Sequence, residues 1–286
     1  IEGNPVYVAA QNFEVLSGGV SSENCAKLLK CLDLAEKNST PVVYILHSLG
    51  VQIGEGVTVL EGLAQLLAKA AKLHGVVPQF AVVDGEVYGQ TALLAACADF
   101  TFFMKEGVLA ADSPLVLSAK SGKNIAKEAV GGAKALNKTN LVSFEAEDMA
   151  QVRGTMTKIF AVLPDYSALV VDNGADLNVA APKLNEKCDA EALIAAVFDK
   201  DTVVEIGKNC SPEVRCILGR IGGISVAAVV TGGEKPVFLN ENNVAKMISF
   251  AEFASYYGLP FVSFVDAQGI QPDLTAQNSL VLKNIF

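Results

Sequence analysis

Chemistry that leans on histidine has little to work with in this chain. Only His47 and His74 are present, which excludes most histidine-dependent metal sites. Ser48 follows the apolar run Pro41–Leu46 and precedes a helix-like segment, which mimics the strand–turn–helix setting of a nucleophilic serine. Leu46 stands where G-x-S-x-G needs its first glycine, and no histidine lies beyond His74 to complete the order Ser, acid, His. Ser48 therefore reads as a turn serine bonding local backbone. His47, at the same strand end, reads either as a satisfied turn residue or as a site residue. Glu55 reads as a solvated charge at a helix start.

Glycines after strands offer a different chemistry. Gly50 and Gly89 each follow an apolar run and precede a helical pattern. The free N–H groups of such turns can hold an oxyanion. Two of them suit a thioester or enolate oxygen, a task that needs preorganised amides more than titratable side chains. Plain chain reversal explains two such turns equally well.

The elements that must carry these turns follow from periodicity and punctuation. Pro5–Ala10, Phe13–Leu16, Pro41–Leu46, Gln79–Val83 and Phe100–Met104 read as strands. Ser22–Asn38 reads as a helix capped by Ser22, with Ala26, Leu29, Leu32, Leu34 and Ala35 as its apolar stripe. Val57–Leu73, Thr91–Ala98, Asp148–Leu163 and Asp189–Phe198 read as further helices. Residues 84–90 read as a turn leaving the fourth strand, and 118–140 as irregular. The pattern is strand, turn, helix, and α/β folds place ligands at the carboxyl ends of strands.

Composition sets the bounds. In 286 residues, 51% are hydrophobic and 19% charged, enough apolar material for a real core. The net charge of −9 and the absence of a basic run argue against nucleic acid and against an anionic membrane surface. No apolar stretch reaches the length of a membrane span, so a cytoplasmic, soluble protein is expected. Six scattered cysteines without a CxxC pair read as free core thiols rather than a metal or redox site. The chain opens on Ile1 and stops at Phe286 within a helix-like pattern, so both ends read as cut from something longer.

An internal repeat organises the whole. Asn24-Cys25-Ala26-Lys27 returns as Asn243-Val244-Ala245-Lys246, an offset of 219. The same offset pairs Ala35 with Ala254, Pro41 with Pro260, Val43 with Val262, Gly50 with Gly269 and Gln52 with Gln271, and it sets His47 on Asp266. The division expected is residues 1–219 as one complete unit and 220–286 as the opening of a second.

At these residues the sequence resembles the carboxyltransferase (beta-type) subunit of biotin-dependent acyl-CoA carboxylases and decarboxylases, the propionyl-/methylmalonyl-CoA type. The likeness runs from Ile1 to Phe286. It is carried by the opening strand into Gln11-Asn12-Phe13, by Ser17-Gly18-Gly19, and by Pro41-Val42 and Ile53–Val57 flanking a glycine turn. Gly75–Gln79, Asp99-Phe100, Gly131-Gly132-Ala133-Lys134 and Phe264-Val265-Asp266-Ala267-Gln268-Gly269 match further family strings. Members consist of two tandem crotonase-type domains. The fold implied is α/β, a ClpP/crotonase-like ββα superhelix, with one complete domain plus the start of a second tandem copy.

The function implied is carboxyl transfer between carboxybiotin and the α-carbon of a short acyl-CoA. Backbone N–H groups of Gly50, Val51, Gly89 and Gln90 would hold the enolate oxygen. His47, Ser48, Tyr88, Thr91 and Gly269 would contact substrate. The family's biotin takes up the proton, so no protein base is implied. A biotin carboxyl carrier protein, an acyl-CoA and a homo-oligomer (dimer or trimer of dimers) are the implied partners. The departures fall at the site. The family's Asp-Ser-Gly-Gly-Ala-Arg reads His47-Ser48-Leu49-Gly50-Val51-Gln52, and its Ala-Gly-Gly-Ala reads Tyr88-Gly89-Gln90-Thr91. Its second-domain Gly-Gly pair reads Ser279-Leu280. Each lost glycine adds a Cβ and is expected to strain a positive φ. A catalytically degenerate subunit serving assembly or CoA binding is the alternative. A hydratase or hydrolase of the same fold would need a carboxylate, for which Glu86 is the candidate. Lys120, Lys123 and Lys127 read either as CoA-phosphate ligands or as a solvated loop.

Overall fold

The computed structural model describes residues 1, 3–164, 166–172, 174, 176, 189–232 and 237–281. Two compact units emerge. One comprises Ile1–Asn137 with Leu141–Val152, the other Lys138–Asn140 with the chain from Arg153 onward. The 219/220 position lies inside a strand of the second unit.

The first unit is built from β1 (Tyr7–Ala10), α1 (Ser22–Asn38), β2 (Val42–Ser48), α2 (Val57–Leu73), β3 (Gln79–Tyr88), α3 (Gln90–Ala96), β4 (Phe100–Met104), β5 (Val108–Ala110), α4 (Pro114–Ser121), α5 (Lys127–Gly131), α6 (Ala133–Leu136), β6 (Phe144–Ala146) and the start of α7 (Met149–Phe160). Its sheet runs β1-β2-β3-β4-β6, every pairing parallel. β2 is apolar along most of its length because a central parallel strand is covered on both faces. Leu32 of α1 and Leu66 and Leu73 of α2 are buried in one cluster with Tyr44, Leu46 and Val83 of the sheet. Each such leucine contributes about 1.5–3 kcal/mol on leaving water.

Both long helices have the predicted limits, but the capping differs. Ser21, not Ser22, caps α1, in a reciprocal box with Asn24. Glu55 is not merely solvated: its Oε2 accepts the Ser22 N–H at 2.7 Å, placing a carboxylate at the positive end of α1.

Three local expectations fail for physical reasons. Phe13–Leu16 is a turn leading into a 3-10 segment at Leu16–Gly18, because Leu16 and Ser17 take left-handed backbone (φ 50° and 54°) that no strand accepts. Residues 84–88 are strand rather than turn. β3 pairs with β4 through Phe80–Val83 and then changes neighbour, pairing with β5 through Glu86–Tyr88. Residues 118–140 carry the end of α4 together with α5 and α6.

The second unit contains the rest of α7, α8 (Ala190–Val197), β7 (Val204–Ile206), β8 (Val214–Ile221), β9 (Ile224–Thr231), β10 (Val237–Leu239), α9 (Glu241–Tyr256), β11 (Phe261–Phe264), β12 (Ala267–Ile270) and α10 (Leu274–Gln277). β11, β9, β8 and β7 form one sheet in that order, and β10 pairs with β12. Arg220 is buried, and its guanidinium donates to the carbonyls of Ala161, Ala168, Leu169 and Gly223 and to Ser167 Oγ. The C-terminal helix-like pattern falls beyond Val281, outside the described residues. So does Cys188; the other five cysteines are free thiols, with Cys25, Cys210 and Cys216 buried.

The 219-residue offset is written in the backbone. Asn240 and Asn243 repeat the reciprocal cap of Ser21 and Asn24. Ser39 and Gly258 both end their helices left-handed, at φ 49° and 63°. Thr40 N–H bonds Ala35 O and Leu259 N–H bonds Ala254 O, each at 2.9 Å. The Val20↔Val51 bridge returns as Leu239↔Ile270. The preceding strand slips by one: Tyr7 pairs with Val42, 35 positions on, whereas Ala227 pairs with Phe261, 34 positions on.

Candidate functional site: two glycine turns at neighbouring strand ends

β2 and β3 leave the sheet side by side. Leu46 pairs with Val83, an irregularity follows, and Ser48 pairs with Val87. Gly50 and Gly89 each lie two residues beyond that last pair. The two turns singled out in the sequence therefore emerge from adjacent strands at the same end of the sheet.

The first turn is closed from within. Ser48 is fully buried, and its Oγ accepts the Gly50 N–H at 3.2 Å and bonds the Gly50 carbonyl at 3.3 Å. Ser48 thus bonds local backbone, as a turn serine does. The Gly50 carbonyl also accepts Val20 N–H at 2.9 Å, and Gln52 N–H bonds Val20 O at 2.9 Å. In this parallel bridge the N–H of Val51 faces away from Val20, and among the described residues it has no partner. Gly50 needs its freedom, at φ 119°.

The second turn opens α3. Gly89, at φ 68°, stands at the cap position, and its N–H donates to Ala110 O at 3.1 Å. The N–H groups of Gln90 and Thr91 begin the helix, where the ladder supplies no acceptor. The Thr91 side chain is buried, and its Oγ1 has no partner among the described residues. Of the four amides singled out, Gly50 and Gly89 thus spend their N–H internally, and Val51 and Gln90 keep theirs. The lost glycines bring no strain. Leu49, Gln90, Ser279 and Leu280 are absent from the positive-φ residues.

Beside these turns, Glu86, Tyr88 and Lys127, each singled out in the sequence, join in a polar frame that the sequence did not reveal. Tyr88 is buried and donates its hydroxyl to Glu86 at 2.7 Å, while Lys127 of α5 bonds the same carboxylate at 3.1 Å. Burial alone would raise the Glu86 carboxyl, but the Tyr88 hydroxyl and the Lys127 ammonium hold it below the usual carboxylate range. Burial and the neighbouring carboxylate together push the Tyr88 phenol up. Lys127 is therefore engaged; Lys120 and Lys123 are exposed. A lysine three residues before the Gly131-Gly132 pair gave no hint that it reached β3.

His47 is held rather than free to swing. Phe13 stacks on its ring, centroids 3.8 Å apart. A methyl at Gly85 would lie 2.4 Å from the ring. The His47 N–H donates to Gln11 Oε1 at 3.1 Å. Gly269 lies in β12 of the second unit, at φ 115° with open space where a Cβ would stand. A separate cleft of about 660 Å³ in the first unit is lined by Phe103–Val108, Glu128, Gly132–Lys134, Glu145–Glu147 and Gln151. It takes in part of the Gly-Gly-Ala-Lys string and none of the turn residues.

No helix among the described residues is long and apolar enough to cross a membrane.

Comparison with known proteins places the geometry. The carboxyl transferase domain family matches residues 1–285. The methylmalonyl-CoA decarboxylase subunit alpha of Veillonella parvula is 29% identical over 95% of this chain and 56% of its own length. The mitochondrial propionyl-CoA carboxylase beta chain of Homo sapiens is 28% identical over 97% of this chain and 54% of its own. The chain thus spans about half the length of the curated relatives it matches. A 12S transcarboxylase structure, described as a hexamer assembly with hydrolysed methylmalonyl-coenzyme A bound, superposes with a TM-score of 0.90 at 25% identity, over 99% of this chain and 58% of that one. The α/β, crotonase-like fold is that of these neighbours, and the chain belongs to the carboxyl transferase domain family.

Proposed function

We propose that this chain takes part in carboxyl transfer between carboxybiotin and the α-carbon of a short acyl-CoA. One observation carries the reading: the Ser48↔Val87 register sets two glycine turns at the ends of neighbouring strands. The Val51 and Gln90 N–H groups, left over by the internal bonding, hold the thioester oxygen as it gains charge. Each well-placed donor of this kind contributes about 3–4 kcal/mol to the transition state. Ser48, Val20 and Ala110 fix the turns beforehand, so little reorganisation accompanies the charge. His47, Tyr88 and Thr91 shape the entrance to the thioester.

Gly269, in β12, shares the positive φ of Gly50, at 115° against 119°, and has open space where a Cβ would stand; it would contact substrate. When bound, biotin supplies the carboxyl that is exchanged. Residues 1–219 then form one carboxyltransferase domain and 220–286 the opening of the next. A biotin carboxyl carrier protein, a homo-oligomer and a cytoplasmic setting complete the proposal.

A second reading is favoured by the bonds that occupy Gly50 N–H and Gly89 N–H: a degenerate subunit that binds CoA thioesters or serves assembly. Transfer from free carboxybiotin, and decarboxylation of malonyl-CoA, by the whole polypeptide separate the two. Turnover supports the transferase. Thioester binding without turnover supports the degenerate subunit, and no binding removes both.

A further inference from the structure

We propose that the outer edge of β1 is a docking surface for an antiparallel strand, supplied by polypeptide that enters the molecule through Ile1.

The backbone of β1 is open on one side. Tyr7 N–H donates to Pro41 O at 2.9 Å and Gln11 N–H to Ile45 O at 3.0 Å, so residues 7, 9 and 11 turn their main-chain groups toward β2. In a parallel ladder the alternate residues, Val6, Val8 and Ala10, turn theirs the other way. β1 ends its sheet order, and among the described residues no strand meets that side. An open row of N–H and C=O groups is a template for one more strand.

The second unit shows the same edge filled. β9 is the counterpart of β1, displaced by 220 positions from Tyr7 to Ala227. Ala227 N–H donates to Pro260 O at 2.9 Å, as Tyr7 N–H does to Pro41 O. β8 runs antiparallel along the side of β9 that β1 leaves open. Val226, Ala228 and Val230 stand for Val6, Val8 and Ala10, and all three are buried in one cluster with Ile217 of β8 and Ala190 and Ile194 of α8. Val8, by contrast, is 58% exposed and Ala10 is exposed, although Tyr7 and Ala9 pack on the core.

The occupant is chosen by a turn. Asn4 N–H donates to Ile1 O at 2.9 Å, and the Ile1 nitrogen donates to Asn4 O at 2.7 Å. This mutual pair closes a two-residue turn, and it falls where Ile221 pairs with Ile224 between β8 and β9. Gly3 stands at φ 85° and Gly223 at φ 82°. A turn of this length joins antiparallel strands. It aims the polypeptide entering Ile1 back along β1, and so favours that segment over a second copy of the chain. By the register of β8 on β9, the positions two, four and six before Ile1 face Val6, Val8 and Ala10. A strand there also steadies the first glycine turn. β1 leads into Gln11, Ser17 and Val20, whose bonds reach His47, Leu49, Gly50 and Gln52.

Amide hydrogen exchange of the whole polypeptide, read by mass spectrometry with residue-level fragmentation, tests this. Val6, Val8 and Ala10 are expected to exchange within about tenfold of Val226, Ala228 and Val230. Matching protection is expected two, four and six positions before Ile1, and none of it changes on dilution. Val8→Pro removes one outward N–H and nothing that faces β2. It should speed exchange at Val6 and Ala10 by about tenfold or more, whereas Val8→Ala, which keeps the N–H, should not. The unaltered protein supplies the reading should Val8→Pro not fold. Four results each overturn the proposal: edge amides that exchange as exposed loops do, protection without protected partners before Ile1, indifference to Val8→Pro, and protection that fades on dilution, the mark of a second copy. None of them bears on the acyl-CoA reading, which malonyl-CoA turnover tests separately.

Discussion

Lys27 and Lys246 occupy the same place in two copies of one helix–strand unit, 219 residues apart, and meet opposite surroundings. Lys27 lies exposed on α1. Lys246 is 2% exposed on α9, and its ammonium donates to the carbonyls of Gly207 at 2.9 Å and of Cys210 and Val214 at 2.7 Å. Burial pulls its pKa down, against the pull of nearby Cys216 and Cys210. Asn24 and Asn243 share one capping bond pattern, yet the first is exposed and the second fully buried. β2 is an internal strand, whereas β11 lies at the end of its sheet order. The two copies thus agree in the caps, the left-handed helix end and the open glycine, and differ in what covers them. Local backbone chemistry outlasts the environment in which it is used.

The comparison can be broken most forcefully at the lysines. Lys246→Met leaves three buried carbonyls without their donor and is expected to lower stability by about 3 kcal/mol or more. Lys27→Met should change it by less than about 0.5 kcal/mol. Urea denaturation followed by circular dichroism reads both, and equal effects would contradict the contrast. The glycine turns come next. Gly50→Ala and Gly269→Ala meet open space but keep φ near 119° and 115°, so each should cost about 1–3 kcal/mol through backbone strain alone. Near-equality of the two is the point at issue. The caps follow. Ser21→Ala and Asn240→Ala should each cost about 1 kcal/mol, the second somewhat more because Asn240 Oδ1 accepts from both Asn242 and Asn243. Hydrogen exchange in the first turns of α1 and α9 resolves them.

The smallest effect concerns acid. The Glu86 carboxyl sits below its ordinary value near 4.5, so the unfolded chain takes up this proton first. Its stabilisation is full above about pH 4.5 and is lost as pH falls through the depressed folded value. Glu86→Gln should flatten that part of a stability–pH curve, by under about 1 kcal/mol because the pair is partly exposed. The residue has no counterpart at the 219 offset within these 286 residues, so the change belongs to one copy only.

Much of this architecture could be read from residues alone, and particular positions show why the rest could not. α1 and α2 announce themselves because a 17-residue amphipathic pattern is long and well punctuated. The repeat was visible because Asn, Pro and Gly sit at caps and turns, where few residues substitute. β3 was cut short at Val83 because Asp84-Gly85-Glu86 has the composition of a turn. Nothing local reveals that the strand acquires a second neighbour there. Glu55 and Lys127 were misjudged for a common reason: their partners, Ser22 and Glu86, lie 33 and 41 residues away. The two glycine turns were found, but which of their amides remained available depended on Ser48 Oγ and Ala110 O, and that is tertiary information.

Gly18 and Gly85 touch His47 from separate segments, one against its carbonyl and one against its ring. A single added carbon would press on the main chain of His47 from Gly18 and on its ring from Gly85, without altering a charge or a polar atom. These two positions are therefore silent controls. A survey that substitutes only side chains with functional groups would pass over them, and a natural variant carrying alanine there would look conservative while shifting His47 and the strand end that bears it.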